Sequence, residues 1–99
     1  LDFTGYASSV DIPATYNNVP VTTNPVIIAP GRPLILEPLP VAGSGPTVYS
    51  ITQRTGNVYC QIDQTSTQTY LKLQGNNGSC TVVGAKDGVV SNPLTVVPS

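Results

Sequence analysis

VYCQIDQTSTQTYLKLQGNNGSCTVVGA, residues 58–85, contains three short runs in which apolar and polar side chains alternate. In the first, Val58, Cys60 and Ile62 share one parity, with Tyr59, Gln61 and Asp63 on the other. In the second, Leu71 and Leu73 oppose Tyr70 and Lys72. In the third, Cys80, Val82 and Gly84 oppose Val83 and Ala85. A period of two is the signature of a strand with one buried face. Residues 64–68 make a polar connection between the first two runs, and Gly75-Asn76-Asn77-Gly78 is a strong turn signal before the third. Lys86-Asp87-Gly88 then carries an Asp-Gly hairpin signal.

Working outward, residues 47–54 read as a strand with Tyr49 and Ile51 on one face, preceded by a flexible turn over residues 42–46. Leu34-Ile35-Leu36 begins another strand. Pro38 and Pro40 cannot donate to a ladder, which predicts that this part lies on an edge or leaves the sheet. Val26-Ile27-Ile28 is a short apolar strand, and residues 94–97 form a last one that Pro98 stops. Ten prolines and nine glycines interrupt every window long enough for a helical period. Short strands with regular turn signals predict an all-β sandwich or small barrel.

The start of the chain has a different texture. Tyr6, Ser8, Val10 and Ile12 alternate with Ala7, Ser9 and Asp11, predicting a strand that Pro13 ends. Residues 15–18 read as a turn, and residues 19–23 as a short extended run restrained by Pro20. Asn24-Pro25 punctuates the chain, which divides it into an extended N-terminal arm, residues 1–24, and one domain, residues 25–99.

Ninety-nine residues suffice for one domain with a modest core. Only 9% of them are charged, against roughly 25% in ordinary soluble domains. A net charge of −1 offers no cationic patch for nucleic acid or for an anionic membrane. No apolar run reaches the roughly 18 residues of a membrane-spanning segment. Weak charge also removes one barrier to self-association. A chain that begins at Leu1 reads as a processed mature protein or as a piece of a longer one.

Cys60 and Cys80 could form a disulfide, a redox pair or part of a metal site. Metal is disfavoured, because there is no histidine and no second thiol pair to complete four ligands. Redox pairs usually sit as C-x-x-C. Both cysteines share parity with apolar neighbours, which favours a structural disulfide and an extracellular or cell-surface compartment. Closing a loop of about 20 residues is worth roughly 3 kcal/mol in the chain-entropy account.

Tyr49-Ser50, Cys60-Gln61-Ile62, Leu71, Asn77-Gly78-Ser79-Cys80-Thr81-Val82 and Ala85-Lys86-Asp87-Gly88 together resemble one repeat of the bacterial immunoglobulin-like (Big-type) domains of secreted and surface-anchored proteins. The glycine-rich turn at residues 42–46, ahead of a tyrosine-containing strand, belongs to the same pattern. The resemblance covers residues 25–97 and departs from the family at Pro38, Pro40 and the arm. It implies an immunoglobulin-like β-sandwich, a structural or adhesive role, and no catalytic residues. The tryptophan that packs on the disulfide of antibody domains is absent.

Other candidate sites are sparse. Asn77-Gly78-Ser79 is a formal N-glycosylation sequon, in a turn that wants Asn and Gly in any case. Asp2, Asp11, Glu37, Asp63 and Asp87 have no calcium-loop spacing. There is no histidine, nucleophile elbow or phosphate-cradling loop. The expectation is therefore a non-enzymatic chain without cofactor. Tyr6, Tyr16, Tyr49, Tyr59 and Tyr70, with Phe3, could form a sugar-binding platform, but bracing and packing roles suit them better. The arm has three readings: a strand exchanged between neighbouring copies through Phe3, Tyr6, Val10 and Ile12, a strand of its own domain, or a linker. The first predicts a homopolymer, a filament or surface fibre built by donor-strand exchange. The alternatives are a passive repeat of a larger adhesin and a module for a glycan or host-surface ligand.

Overall fold

The computed structural model describes residues 10–65 and 67–99 and shows an all-β chain in two sheets. Among the described residues ten strands follow in order: β1 (Ala14–Tyr16), β2 (Val19–Pro20), β3 (Val26–Ile28), β4 (Leu34–Leu36), β5 (Val48–Gly56), β6 (Tyr59–Gln64), β7 (Thr69–Gln74), β8 (Gly78–Lys86), β9 (Val89–Val90) and β10 (Leu94–Pro98). One sheet runs β2-β1-β4-β7-β6. The other runs β3-β10-β8-β5, with β9 also paired to β8. Every pairing is antiparallel except that of β3 with β10.

The alternation seen in the sequence becomes the core. Leu34 and Leu36 of β4, Leu71 and Leu73 of β7 and Cys60 of β6 face Val26 and Ile28 of β3, Cys80 and Val82 of β8 and Leu94 and Val96 of β10. Seven of these side chains are essentially sealed from solvent: Ile28, Leu34, Leu71, Leu73, Val82, Val96 and Cys80. Full burial of an aliphatic side chain is worth roughly 1.5–3 kcal/mol. The Cys60–Cys80 disulfide joins β6 of one sheet to β8 of the other. Residues 58–85 are therefore three strands shared between two layers, with the bridge crossing the core.

Several expectations shift. Of the residues read as a turn at 15–18, Thr15 and Tyr16 belong to β1, and the turn proper is Asn17-Asn18, with positive φ of 53° and 65°. Asparagine tolerates that conformation, which suits a two-residue hairpin between β1 and β2. Pro13 stands directly before β1, where a proline at a strand's threshold forfeits no ladder bond, and the strand expected from Tyr6 onward lies largely outside the described residues. The segment Leu34–Leu36 lies between β1 and β7 and not on an edge. Pro38 and Pro40 follow after the chain has left the sheet. The Gly75–Gly78 turn does not close a hairpin: β7 and β8 belong to different sheets, and β8 pairs with β5 instead.

The second half of the N-terminal arm joins the same body. Ile12 and Ala14 are buried in the common core, and Val10 packs against it. The strand β1 pairs with β4 at Ala14↔Leu36 and Thr15↔Ile35. The Glu37 N–H donates to the Pro13 carbonyl at 2.8 Å, and the Asn92 N–H to the Val10 carbonyl at 2.8 Å. In the single chain, residues 10–20 thus occupy an own-domain position. Asn24 itself is pinned, donating to the Pro93 carbonyl at 2.9 Å and accepting from the Thr95 N–H at 3.1 Å. Phe3 and Tyr6 lie outside the described residues.

Candidate functional site

A groove of about 500 Å³ opens where β4 ends and β5 begins, bounded on its far side by residues of the β6–β7 connection. Its walls carry Thr15 of β1, Glu37 and Pro38 after β4, Tyr49 of β5, and Gln64 and Gln68 flanking the connection. The period of two places Tyr49 on the inner side of β5, directly opposite Gly84 of β8. An ideal Cβ on Gly84 would lie 2.7 Å from Tyr49 Cε1, so the glycine makes the room that the ring fills. The Tyr49 hydroxyl donates to the Glu37 carbonyl, linking the end of β4 in one sheet to β5 in the other. Thr15 Oγ1 donates to Glu37 Oε2 at 3.0 Å.

Burial, with the Glu37 carboxylate as a second contribution, pushes the Tyr49 phenol up to about 12 from 10.0. At neutral pH it is a neutral donor, not a nucleophile. The groove thus offers hydroxyls, amides and one carboxylate already engaged by a threonine, an array suited to hydrogen-bonding a neutral polar ligand.

A second cluster centres on Lys86. The even positions of β8 all face inward, so this residue is 9% exposed although charged. Its ammonium donates to the Val41 carbonyl at 3.0 Å and the Gly43 carbonyl at 2.7 Å, and lies 3.5 Å from Asp87 Oδ2. Asp87, at the hairpin tip with φ 49°, accepts from the Gly45 N–H at 3.3 Å. Lys86 and Asp87 together strap the glycine-rich turn onto the β8–β9 hairpin. The sequence reading took residues 86–88 only as a hairpin signal; extending the parity of Cys80, Val82 and Gly84 by one step would have placed residue 86 inward. What was missing was the loop that supplies its acceptors.

The sequence-marked residues scatter. Cys60 and Cys80 meet as the disulfide. Asn77 is exposed in its turn, its N–H donating to Asn57 Oδ1 at 3.0 Å, and it is remote in register from the groove. The described tyrosines make no common platform. Tyr16 accepts from the Ala29 N–H at 2.8 Å. Tyr59 is exposed with Arg54 over its ring at 5.5 Å, and Tyr70 lies at the other end of the β6–β7 ladder, opposite Asp63. Among the described residues, no group of three or more Asp, Glu or Cys side chains is placed to hold a metal ion, and no helix is long and apolar enough to cross a membrane.

No protein-family model matches the chain, and neither a curated protein nor a solved structure matches it.

Proposed function

We propose that this chain is an immunoglobulin-like structural module, non-enzymatic and extracellular, that assembles into a filament or surface fibre by exchanging its first strand between neighbouring copies. The strand order supports the immunoglobulin-like reading. The series β1-β4-β7-β6 and β3-β10-β8-β5 correspond to the ABED sheet and a GFC sheet with a parallel first-strand segment at its edge. The bridge differs from that of antibody domains, since it starts from β6 and not from the strand next to β1. A disulfide in so small a domain supports export to an oxidising compartment.

The observation that carries strand exchange is the seat of the first strand. With the residues just before it, it places Ile12 and Ala14 in the core yet pairs with β4 at only two register positions. The same strand from another copy would make the same contacts, at no cost in native interactions. The test is a cross-link across that pair. In the Thr15→Cys/Ile35→Cys double variant, oxidation links β1 to β4 wherever β1 comes from. Denaturing gels without reductant should then show a ladder of multimers. A single band of monomer would sink the exchange reading.

The groove beside Glu37 favours a second reading, a module that takes a neutral saccharide. Binding on a glycan array that Gln68→Ala removes would support it over the first, and a blank array would leave it without ground.

A further inference from the structure

Asn77-Gly78 is the one place in the chain where an asparagine precedes a glycine. Asn24 and Asn92 precede prolines, which have no N–H, and the remaining asparagines precede asparagine or valine. Cyclisation of an asparagine onto the next peptide nitrogen has two requirements. That nitrogen must be sterically open, and the asparagine side chain must be free to swing onto it. A glycine without Cβ meets the first. The fold also keeps a glycine there, since Gly78 has φ 128° and an ideal Cβ on it would run into the Thr55 carbonyl across the β5–β8 ladder.

Asn77 meets the second requirement. It is exposed, and no described residue hydrogen-bonds its side-chain amide. The side chains of Asn24, Asn57, Asn76 and Asn92 are all engaged. The Asn77 backbone, by contrast, is held. Its N–H donates to Asn57 Oδ1 at 3.0 Å, and its carbonyl accepts from the Asn57 N–H at 2.8 Å. The second bond falls on the same peptide group whose nitrogen would attack. A donor fixed on the carbonyl oxygen stabilises the negative charge that spreads over that group when the Gly78 N–H loses its proton. Asp87-Gly88 makes a contrast. The Asp87 carboxylate accepts from the Gly45 N–H at 3.3 Å and lies 3.5 Å from the Lys86 ammonium, so it is both ionised and tied.

We propose that Asn77 is a site of spontaneous modification, at which the folded chain deamidates. Hydroxide takes the Gly78 amide proton, and the nitrogen attacks Asn77 Cγ. The new N–Cγ bond closes a succinimide ring while the Cγ–Nδ2 bond breaks. The departing nitrogen takes a proton from water, leaves as ammonia and regenerates the hydroxide. Water then opens the ring. Cleavage between the Gly78 nitrogen and Cγ gives aspartate, and cleavage between that nitrogen and the old backbone carbonyl gives isoaspartate. No oxidant, reductant or cofactor takes part.

Either product adds one negative charge to a formal net charge of −1. Either also erases the glycosylation sequon, because the nitrogen lost is the one that a glycan would take. Isoaspartate does more. It lengthens the main chain by one carbon, and the carbonyl that accepted from Asn57 leaves the main chain as a carboxylate. Asn57 is the hub between the β5–β6 and β7–β8 turns, also holding the Asn76 N–H at 3.2 Å. The isoaspartyl chain therefore loosens at this pole while Leu71 and Leu73 stay sealed. The inference does not depend on how copies assemble.

The test is to age the oxidised full chain in water enriched in heavy oxygen, at neutral and mildly alkaline pH, and to map the label by peptide mass spectrometry. Residue 77 should take up label as a mixture of aspartate and isoaspartate, faster at the higher pH. Asn17 and Asn18, exposed but followed by residues with side chains, should label far more slowly, and Asp87 should form no isoaspartate. Asn77→Gln, checked for folding by its thermal midpoint, should abolish the signal. The rate in the folded chain should lie within about a hundredfold of that in the reduced, denatured chain. Slower labelling, toward the thousandfold or more suppression expected if only rare unfolded molecules react, overturns the proposal. So does label spread evenly over the asparagines. Hydrogen exchange at the Asn57 amide should quicken in the isolated isoaspartyl form and not in Asn77→Asp, which carries the charge without the extra carbon. Equal protection in the two would overturn the loosening.

Discussion

At the scale of single residues, the two most informative side chains are polar ones placed inward. Tyr49 holds its proton more tightly in the folded chain than in the unfolded one, since its phenol stands at about 12 against 10.0. Its contribution to stability is therefore intact below about pH 10 and is lost as the pH rises toward about 12. Spectrophotometric titration should show one late phenolate that Tyr49→Phe removes, and the variant should lose that part of the alkaline decline in stability. Lys86 satisfies two carbonyls of the glycine-rich turn. Lys86→Ala leaves them without that donor, at a cost of about 1–3 kcal/mol. Hydrogen exchange should quicken in residues 41–45 well before it does in β7.

At the scale of elements, two devices hold the sheets together. The first is the bridge between β6 and β8. The double variant Cys60→Ser/Cys80→Ser should lose about 3 kcal/mol in denaturant titration, mostly because its unfolded chain is freer. The second is the Tyr49 hydroxyl of β5 on the Glu37 carbonyl at the end of β4, set in place because the ring lies over Gly84 of the neighbouring β8. Gly84→Ala puts a methyl group where Tyr49 Cε1 and Cδ1 already stand at 2.7 and 3.0 Å from the ideal Cβ. That overpacking should cost about 1–3 kcal/mol and displace the Tyr49 hydroxyl from the Glu37 carbonyl, readable as a fall in its titration midpoint. The strands themselves were legible because alternation survives in β6, β7 and β8, from Cys60 through Val82. The strand β1 was not, because three residues between a proline and two asparagines carry no period of their own and are strand only through pairing with β2 and β4.

At the scale of the whole molecule, a single buried cluster draws on both sheets, and the bridge crosses it. Unfolding should therefore be one cooperative step, with far-ultraviolet circular dichroism and tyrosine fluorescence following the same transition. Two separated transitions would mean that the sheets are independent units.

What the amino-acid order determined alone is what depends on near neighbours: the period of two, the turns at glycine, proline and asparagine, the inward parity of both cysteines, and the exclusion of helices. What only the tertiary structure decided is whatever depends on which distant strands meet. Pairing of β8 with β5 rather than β7 sets Tyr49 over Gly84, β4 beside β1 gives Ile12 and Ala14 their place in the core, and the loop at residues 41–45 supplies acceptors for Lys86. The physical reason is that alternation states which face of a strand is buried but carries no information about its partner. Partner choice is settled by packing the two sheets around one shared core.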